Sequence, residues 1–186
     1  MPAASISGHV FIATSLDGYI ARPGGAIDWL TEYATGDEDT GYHAFMDSID
    51  GIVMGRHTFE LACSFTVWPF PKPVVVLSQT LSQGDLSANL TAKARVSRLA
   101  PAPLLASLSA DGWRRVYVDG GKVIQSFLKA RLISDIVLTR VPILLGSGIS
   151  LFGSIDSDVR LRHVRTTAFA SGLVQSTYEF PDNTTL

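Results

Sequence analysis

Apolar residues fall along this chain in short dense runs separated by glycines, prolines and polar turns, and the runs carry two different periods. Gly8 to Thr14, Gly51 to Met54, Pro73 to Leu77, Arg115 to Val118, Ile133 to Val141 and the tail from Thr166 to Phe180 are rich in β-branched and aromatic residues and read as strands. Tyr42 to Ser48, Pro103 to Ser109 and Lys122 to Leu132 carry helical patterns between them. In the last of these Val123, Ile124, Phe127 and Leu128 share one face, and Lys129 and Arg131 put cations at the end where the helix dipole favours them. The alternation predicts an α/β fold with a mixed, mostly parallel central sheet and helices on both faces. The strand-rich tail predicts an antiparallel C-terminal hairpin closing one edge. No repeat, low-complexity segment or linker divides the chain, and Pro69, Pro71 and Pro73 make only a stiff approach to the strand at Val74. Residues 1–186 are therefore expected to form a single domain.

Two strand ends stand out. In Gly51-Ile52-Val53-Met54-Gly55-Arg56-His57-Thr58-Phe59-Glu60 a buried strand breaks at a glycine and opens a short helix with a guanidinium at its mouth. Gly55 lets backbone approach a ligand closely, the first N–H groups of the helix have no intrahelical acceptor, and Arg56 adds a fixed charge with several donors. A cation in a helix's first turn opposes the dipole, which favours phosphate binding over a surface ion pair for Arg56. His57, in the same turn, fits a ligand contact or simple exposure equally well. Val116-Tyr117-Val118-Asp119-Gly120-Gly121-Lys122-Val123-Ile124 repeats the arrangement: an apolar strand, a glycine pair, then a cation opening an apolar helix. Two anion sites on one small domain point to a ligand with phosphates at two places, such as a dinucleotide.

Composition narrows the partners. A hydrophobic content of 46% supports a sizeable core, and a formal net charge of −2 with the charges dispersed shows no footprint for nucleic acid or an anionic membrane surface. A small soluble molecule is the expected partner. The first basic residue is Arg22 and the apolar runs are short, so neither a leader nor a membrane span is expected and the protein is placed in the cytoplasm. Cys63 is the single cysteine and is expected as a small buried apolar residue. His9, His43, His57 and His163 are scattered without a metal-ligand spacing, so no metal site is expected. The Asn89 and Asn183 acceptor patterns are read as chance.

Several segments together resemble a known family. Phe11-Ile12-Ala13-Thr14-Ser15-Leu16-Asp17-Gly18-Tyr19-Ile20-Ala21, Val53-Met54-Gly55-Arg56-His57-Thr58-Phe59-Glu60, Val118-Asp119-Gly120-Gly121 and Pro142-Ile143-Leu144-Leu145-Gly146-Ser147-Gly148 with Leu151-Phe152 stand in its order and spacing. They resemble the dihydrofolate reductase fold, in the branch of the riboflavin-biosynthesis deaminase-reductase's reductase domain and its stand-alone relatives. The resemblance implies an NADPH-dependent reductase. Gly55, Arg56, His57 and Thr58, with Leu77 and Ser78, would take the 2′-phosphoadenosine side. Val118, Gly120, Gly121, Lys122, Val123 and Ile124 would hold the pyrophosphate. Ala13, Ile20 and a mobile loop around Asp17 and Gly18 would line the nicotinamide.

The chain also departs from the folate-reducing members. The residue five after Trp29 is Ala34 rather than an acid, and no arginine lies between Arg56 and Arg95 to grip a glutamate tail. The implied substrate is then a ribosylaminopyrimidine or another small nitrogen heterocycle, with dihydrofolate reduction or a non-catalytic NADP-binding module as the alternatives. Asp28 and Trp29 are the candidate catalytic pair at the pocket mouth, although Asp28 reads slightly better as a helix cap. Glu32, Asp37, Glu38 and Asp39 read as a solvated acidic loop, and Gly146-Ser147-Gly148 as a tight turn rather than a dinucleotide fingerprint. Edge surface in the tail predicts a homodimer.

Overall fold

Strands covered on both faces need apolar side chains at every position rather than at alternate ones. The runs Gly51-Ile52-Val53-Met54 and Val74-Val75-Val76 meet that need inside an eight-stranded sheet. The structure is a computed structural model and describes residues 6–33 and 38–181. In chain order the elements are β1 Ser7–Ser15, β2 Tyr19–Ala21, α1 Asp28–Thr31, α2 Tyr42–Ser48, β3 Gly51–Gly55, α3 Arg56–Cys63 and β4 Val74–Leu77. There follow a 3₁₀ turn at Gln83–Asp85, α4 Ala88–Thr91, β5 Ala94–Ser97, α5 Pro101–Ala110, β6 Arg115–Asp119, α6 Gly121–Lys129, β7 Ile133–Val141, β8 Ile149–Ser150, β9 Arg162–Ala168 and β10 Val174–Glu179.

The sheet order is β5-β4-β3-β6-β1-β7-β10-β9. Neighbours from β5 to β7 run parallel, and β10 and β9 close the far edge antiparallel. Strand alternation sorts the core into two layers. Val53, Val75, Val116 and Val118 face Leu104, Leu108, Ile124 and Phe127 of α5 and α6. Ile52, Met54, Val74, Val76 and Tyr117 face Met46, Ile49 and Phe59 on the other side. This is the mixed, mostly parallel sheet with helices on both faces and a C-terminal hairpin that the pattern predicts. β2 and β8 form a small separate ladder beside the end of β1.

Three expectations need correction. The last helix stops at Lys129, not Leu132, because Arg131 turns left-handed at φ 56°. Arg131 N–H then donates to Leu128 O at 3.0 Å and Leu132 N–H to Phe127 O at 2.9 Å, a Schellman closure that Leu132 and Phe127 seal by packing in the same core. Cys63 is exposed rather than buried, and its thiol pKa is raised by partial desolvation and then by the Glu60 carboxylate. The hairpin starts before Thr166, at Arg162, and β5, β2, β8, α1 and α4 are additional elements. Ala34, Asp37 and Asn183 lie outside the described residues.

A non-glycine residue in the left-handed region costs roughly 1 kcal/mol, which a glycine does not bear. Arg131→Gly is therefore expected to raise stability by about 0.5–1 kcal/mol in urea unfolding, with the m-value unchanged.

Candidate active site

The site lies where parallel strands β1, β3 and β6 deliver their carboxyl ends side by side, the position at which open α/β sheets bind ligands. β3 ends at Gly55, the N-cap of α3, and β6 ends at Asp119, one residue before Gly120, the N-cap of α6; neither cap carries a side-chain hydrogen bond to its helix. Helix geometry leaves the N–H groups of Arg56, His57 and Thr58 and of Gly121, Lys122 and Val123 without intrahelical acceptors. The Ile124 N–H is already committed, to Gly120 O at 2.9 Å.

The two caps touch. A Cβ on Gly120, which sits at φ 88°, would come within 2.5 Å of Thr58 Oγ1. One on Gly121 would come within 2.7 Å of Ile20 Cδ1, and one on Gly55 within 3.3 Å of Val123 Cγ2. At Gly120 the positive φ and the Thr58 contact together favour bare backbone. That suits a ligand whose phosphate must come up against main-chain N–H groups.

Side chains around the cradle are already ordered by local bonds. Arg56 spans α3's first turn to Glu60 (Nε to Oε1, 2.6 Å) and donates from Nη1 to Thr80 Oγ1 at 2.9 Å, which points its guanidinium toward the end of β4. His57 is 91% exposed and leans toward Glu60 at 3.6 Å. Leu77 is half-buried at the end of β4; Ser78 just beyond it is buried, its Oγ accepting the N–H groups of Thr80 (3.2 Å) and Leu81 (2.9 Å). Lys122 is exposed, whereas Val118, Val123 and Ile124 are core residues and present backbone rather than side chain to the cleft. Ala13, in register with Thr139 on β7, and Ile20 on β2 are half-buried on the β1 side.

The expected catalytic pair is placed differently. Trp29 is 1% exposed and packs with Val141 and Leu173 behind Ala13, so its ring is a core residue and not a lid on the pocket mouth. Its indole N–H lacks an acceptor. Asp28 does not cap the helix; Ile27 is the N-cap. The Asp28 carboxylate is gripped bidentately by Arg22 at 2.8 and 2.9 Å, which holds it below the usual carboxylate range. A carboxylate so paired does not carry a proton near neutral pH. Nor are Glu38 and Asp39 simply solvated: Glu38 accepts both the N–H (3.1 Å) and the hydroxyl of Ser171 in the β9–β10 turn, and Asp39 accepts Gly41 N–H at 2.8 Å.

The acid that the site does hold is Asp119, the last residue of β6. Burial pushes its carboxyl up to about 6, although the Gly120 N–H at 2.8 Å and the nearby Tyr117 hydroxyl pull the other way. Two phenols share its surroundings. Tyr117, whose hydroxyl donates to Phe11 O at 2.9 Å, titrates well above its ordinary value, and Tyr42 is pushed up to about 12, in each case by burial first and the Asp119 charge second. A half-buried carboxyl titrating near neutrality in a cleft can donate or accept a proton there. The signal for it was present in sequence as an acid immediately before the glycine pair at a strand's carboxyl end.

Residues 8–175 match the RibD C-terminal domain family. The chain belongs to that family. Similar solved structures include a protein of Shewanella sp. PV-4 provisionally assigned to riboflavin biosynthesis, 41% identical with a TM-score of 0.87, covering 94% of this chain and 98% of the other. The bifunctional deaminase and 5-amino-6-(5-phosphoribosylamino)uracil reductase of Thermotoga maritima shares the fold at 17% identity and a TM-score of 0.74, covering 94% of this chain and 56% of its own. Dihydrofolate reductase of Enterococcus faecalis, complexed with NADP(H), does so at 20% identity and a TM-score of 0.61, covering 93% and 95%. The RibD-type chain thus has the dihydrofolate-reductase-like fold that its motifs resemble.

A carboxyl that titrates above its ordinary 3.8 in the folded protein costs stability only where the unfolded chain is ionised and the folded one is protonated or strained. The cost is absent below about pH 4, grows as pH rises through the window to about 6, and is full above it. At roughly 1.4 kcal/mol per unit it amounts to roughly 3 kcal/mol at most. Asp119→Asn should flatten the decline in unfolding free energy across that window, as read by urea melts at stepped pH.

Proposed function

We propose that this RibD-family chain is an NADPH-dependent reductase of a small nitrogen heterocycle, of the ribosylaminopyrimidine class, acting by direct hydride transfer. The observation that carries the reading is the contact between the two bare helix N-termini at Thr58 and Gly120, with the Asp119 carboxyl beside it. Family membership supports a reductase, and the Enterococcus relative's NADP(H) complex supports the cofactor.

When bound, NADPH supplies the hydride. The chain's own part is to bind, orient and manage a proton. Arg56, with Thr80 and Ser78 near it, offers charge and hydroxyls for a 2′-phosphate at the α3 end of the cleft. The N–H groups opening α6 take the pyrophosphate between the cradle glycines. Ala13 and Ile20 form an apolar wall on the β1 side that keeps water from the transferring carbon. Asp119 holds a proton on its carboxyl up to about pH 6 and stands in place of the Asp28 and Trp29 pair as the group able to protonate a reduced C=N nitrogen. Among the described residues no helix is long and apolar enough to cross a membrane.

Calorimetric titration with NADPH and NADH, followed by NADPH oxidation with aminopyrimidine and pterin substrates, tests the reading. NADPH is expected to bind more tightly than NADH, and Arg56→Ala to weaken NADPH by about tenfold or more while changing NADH little. Absence of binding by either nucleotide would sink the reductase; binding without turnover of any substrate leaves the non-catalytic module.

We also propose a homodimer through β9. All seven of its residues, Arg162 to Ala168, are exposed on the open edge of the sheet, the apolar Val164 among them. Light scattering at micromolar concentration should give twice the chain mass of 20.0 kDa; a monomer would refute it.

A further inference from the structure

The β1–β2 turn and the loop from Pro142 to Leu151 are stitched together by bonds from several sources. Leu16 N–H donates to Ile143 O at 2.8 Å, Leu151 N–H donates to Gly18 O at 3.1 Å, and β2 pairs with β8. The loop lies so close to β2 that a Cβ on Gly148 would meet Ala21 O at 2.3 Å. At the centre stands Asp17. Its carboxylate accepts the Ser15 hydroxyl at 2.6 Å, Gly146 N–H at 2.7 Å and Leu145 N–H at 3.2 Å, while Ser15, fully buried, accepts Tyr19 N–H at 3.0 Å. No other contact in this seam uses a charged side chain.

The seam reaches the cradle. Ile20, held between Tyr19 and Ala21 in the small ladder, puts its Cδ1 against Gly121 at the opening of α6, and Ser150 O of β8 also faces that glycine, 3.6 Å from where its Cβ would stand.

We infer that Asp17 is a positioning residue for the cofactor end of the cleft: its carboxylate clamps the 142–151 loop onto the β1–β2 turn and so fixes Ile20 and β8 against the N-terminus of α6. The role rests on the NADPH reading. The Ser15 hydroxyl, then the Gly146 and Leu145 N–H groups, hold the carboxyl below its ordinary range, so the clamp is charged at neutral pH. Charge-assisted bonds of this kind are stronger than neutral ones, and the carboxylate accepts on both oxygens. The turn expected to be a mobile loop is thus pinned at its tip.

Asp17→Asn is the sharp test, because the amide keeps one acceptor and sets an NH₂ donor against a backbone N–H. Hydrogen exchange and NADPH calorimetry are to be run on the native chain and the variant. The expected result is about tenfold faster exchange at Leu145 and Gly146 with Ile124 in the core unchanged, an NADPH dissociation constant raised about tenfold, and a melting temperature close to native. Ser15→Thr, which keeps a hydroxyl for both Asp17 and Tyr19 N–H, should stay near native. Ser15→Ala, which leaves Asp17's two N–H bonds but removes the acceptor of Tyr19 N–H, should weaken NADPH binding and serves alone if Asp17→Asn does not fold. Equal NADPH affinity in the native chain and in Asp17→Asn, or in Ser15→Ala where it serves alone, overturns the clamp while leaving the reductase standing. A native chain that binds no NADPH removes the reductase reading and the positioning role with it.

Discussion

Thr58 and Gly120 meet where there is room for a hydrogen atom and nothing larger, and most of the site's geometry follows from that contact. β3 and β6 are parallel neighbours, so their carboxyl ends arrive at the same height and the helices they launch start side by side. Because Gly120 is in the left-handed region and bare, α6 can begin against α3 rather than an atom's width away. The same approach brings Gly55 to Val123 and Gly121 to Ile20, which ties the α3, α6 and β2 faces of the cleft into one body. A methyl group at this point would force those faces apart.

Legibility from sequence tracked how completely a segment is buried. β3, β4 and β6, covered on both faces, are continuous apolar runs and announced themselves, as did β7 with its exact bounds from Ile133 to Val141. β5 escaped because it is four residues long, carries Arg95 and lies at an edge, where half its surroundings are solvent. The last helix was read three residues too long because Leu132 and Ile133 continue its apolar period. Both are core residues, but they reach the core through a left-handed arginine that no propensity rule signals.

Site residues followed the same division. Backbone features, the glycine caps at Gly55 and Gly120 and the helices after them, were legible because glycine marks conformation directly. Side-chain roles depend on partners distant in sequence and were not. Asp28 looks like a cap until Arg22 is seen to occupy it, and Trp29 like a stacking platform until Val141 and Leu173 close over it. Asp119 stands apart from the paired carboxylates by lying half-buried among Tyr42 and Tyr117, which is a property of the folded sheet and not of the local string.

The two edges of the sheet are finished unlike one another. On the β5 side the Gln83 side chain imitates a further strand: its Oε1 accepts Val96 N–H at 2.8 Å and its Nε2 donates to Ala94 O at 3.3 Å. One amide thereby occupies two of the backbone groups on the open side of β5, while no side chain does so on β9 among the described residues. If two copies join through β9 as proposed, both β9 edges are used up and each outer margin of the joined sheet is a β5 edge covered in part by Gln83, so strand pairing would stop at the dimer.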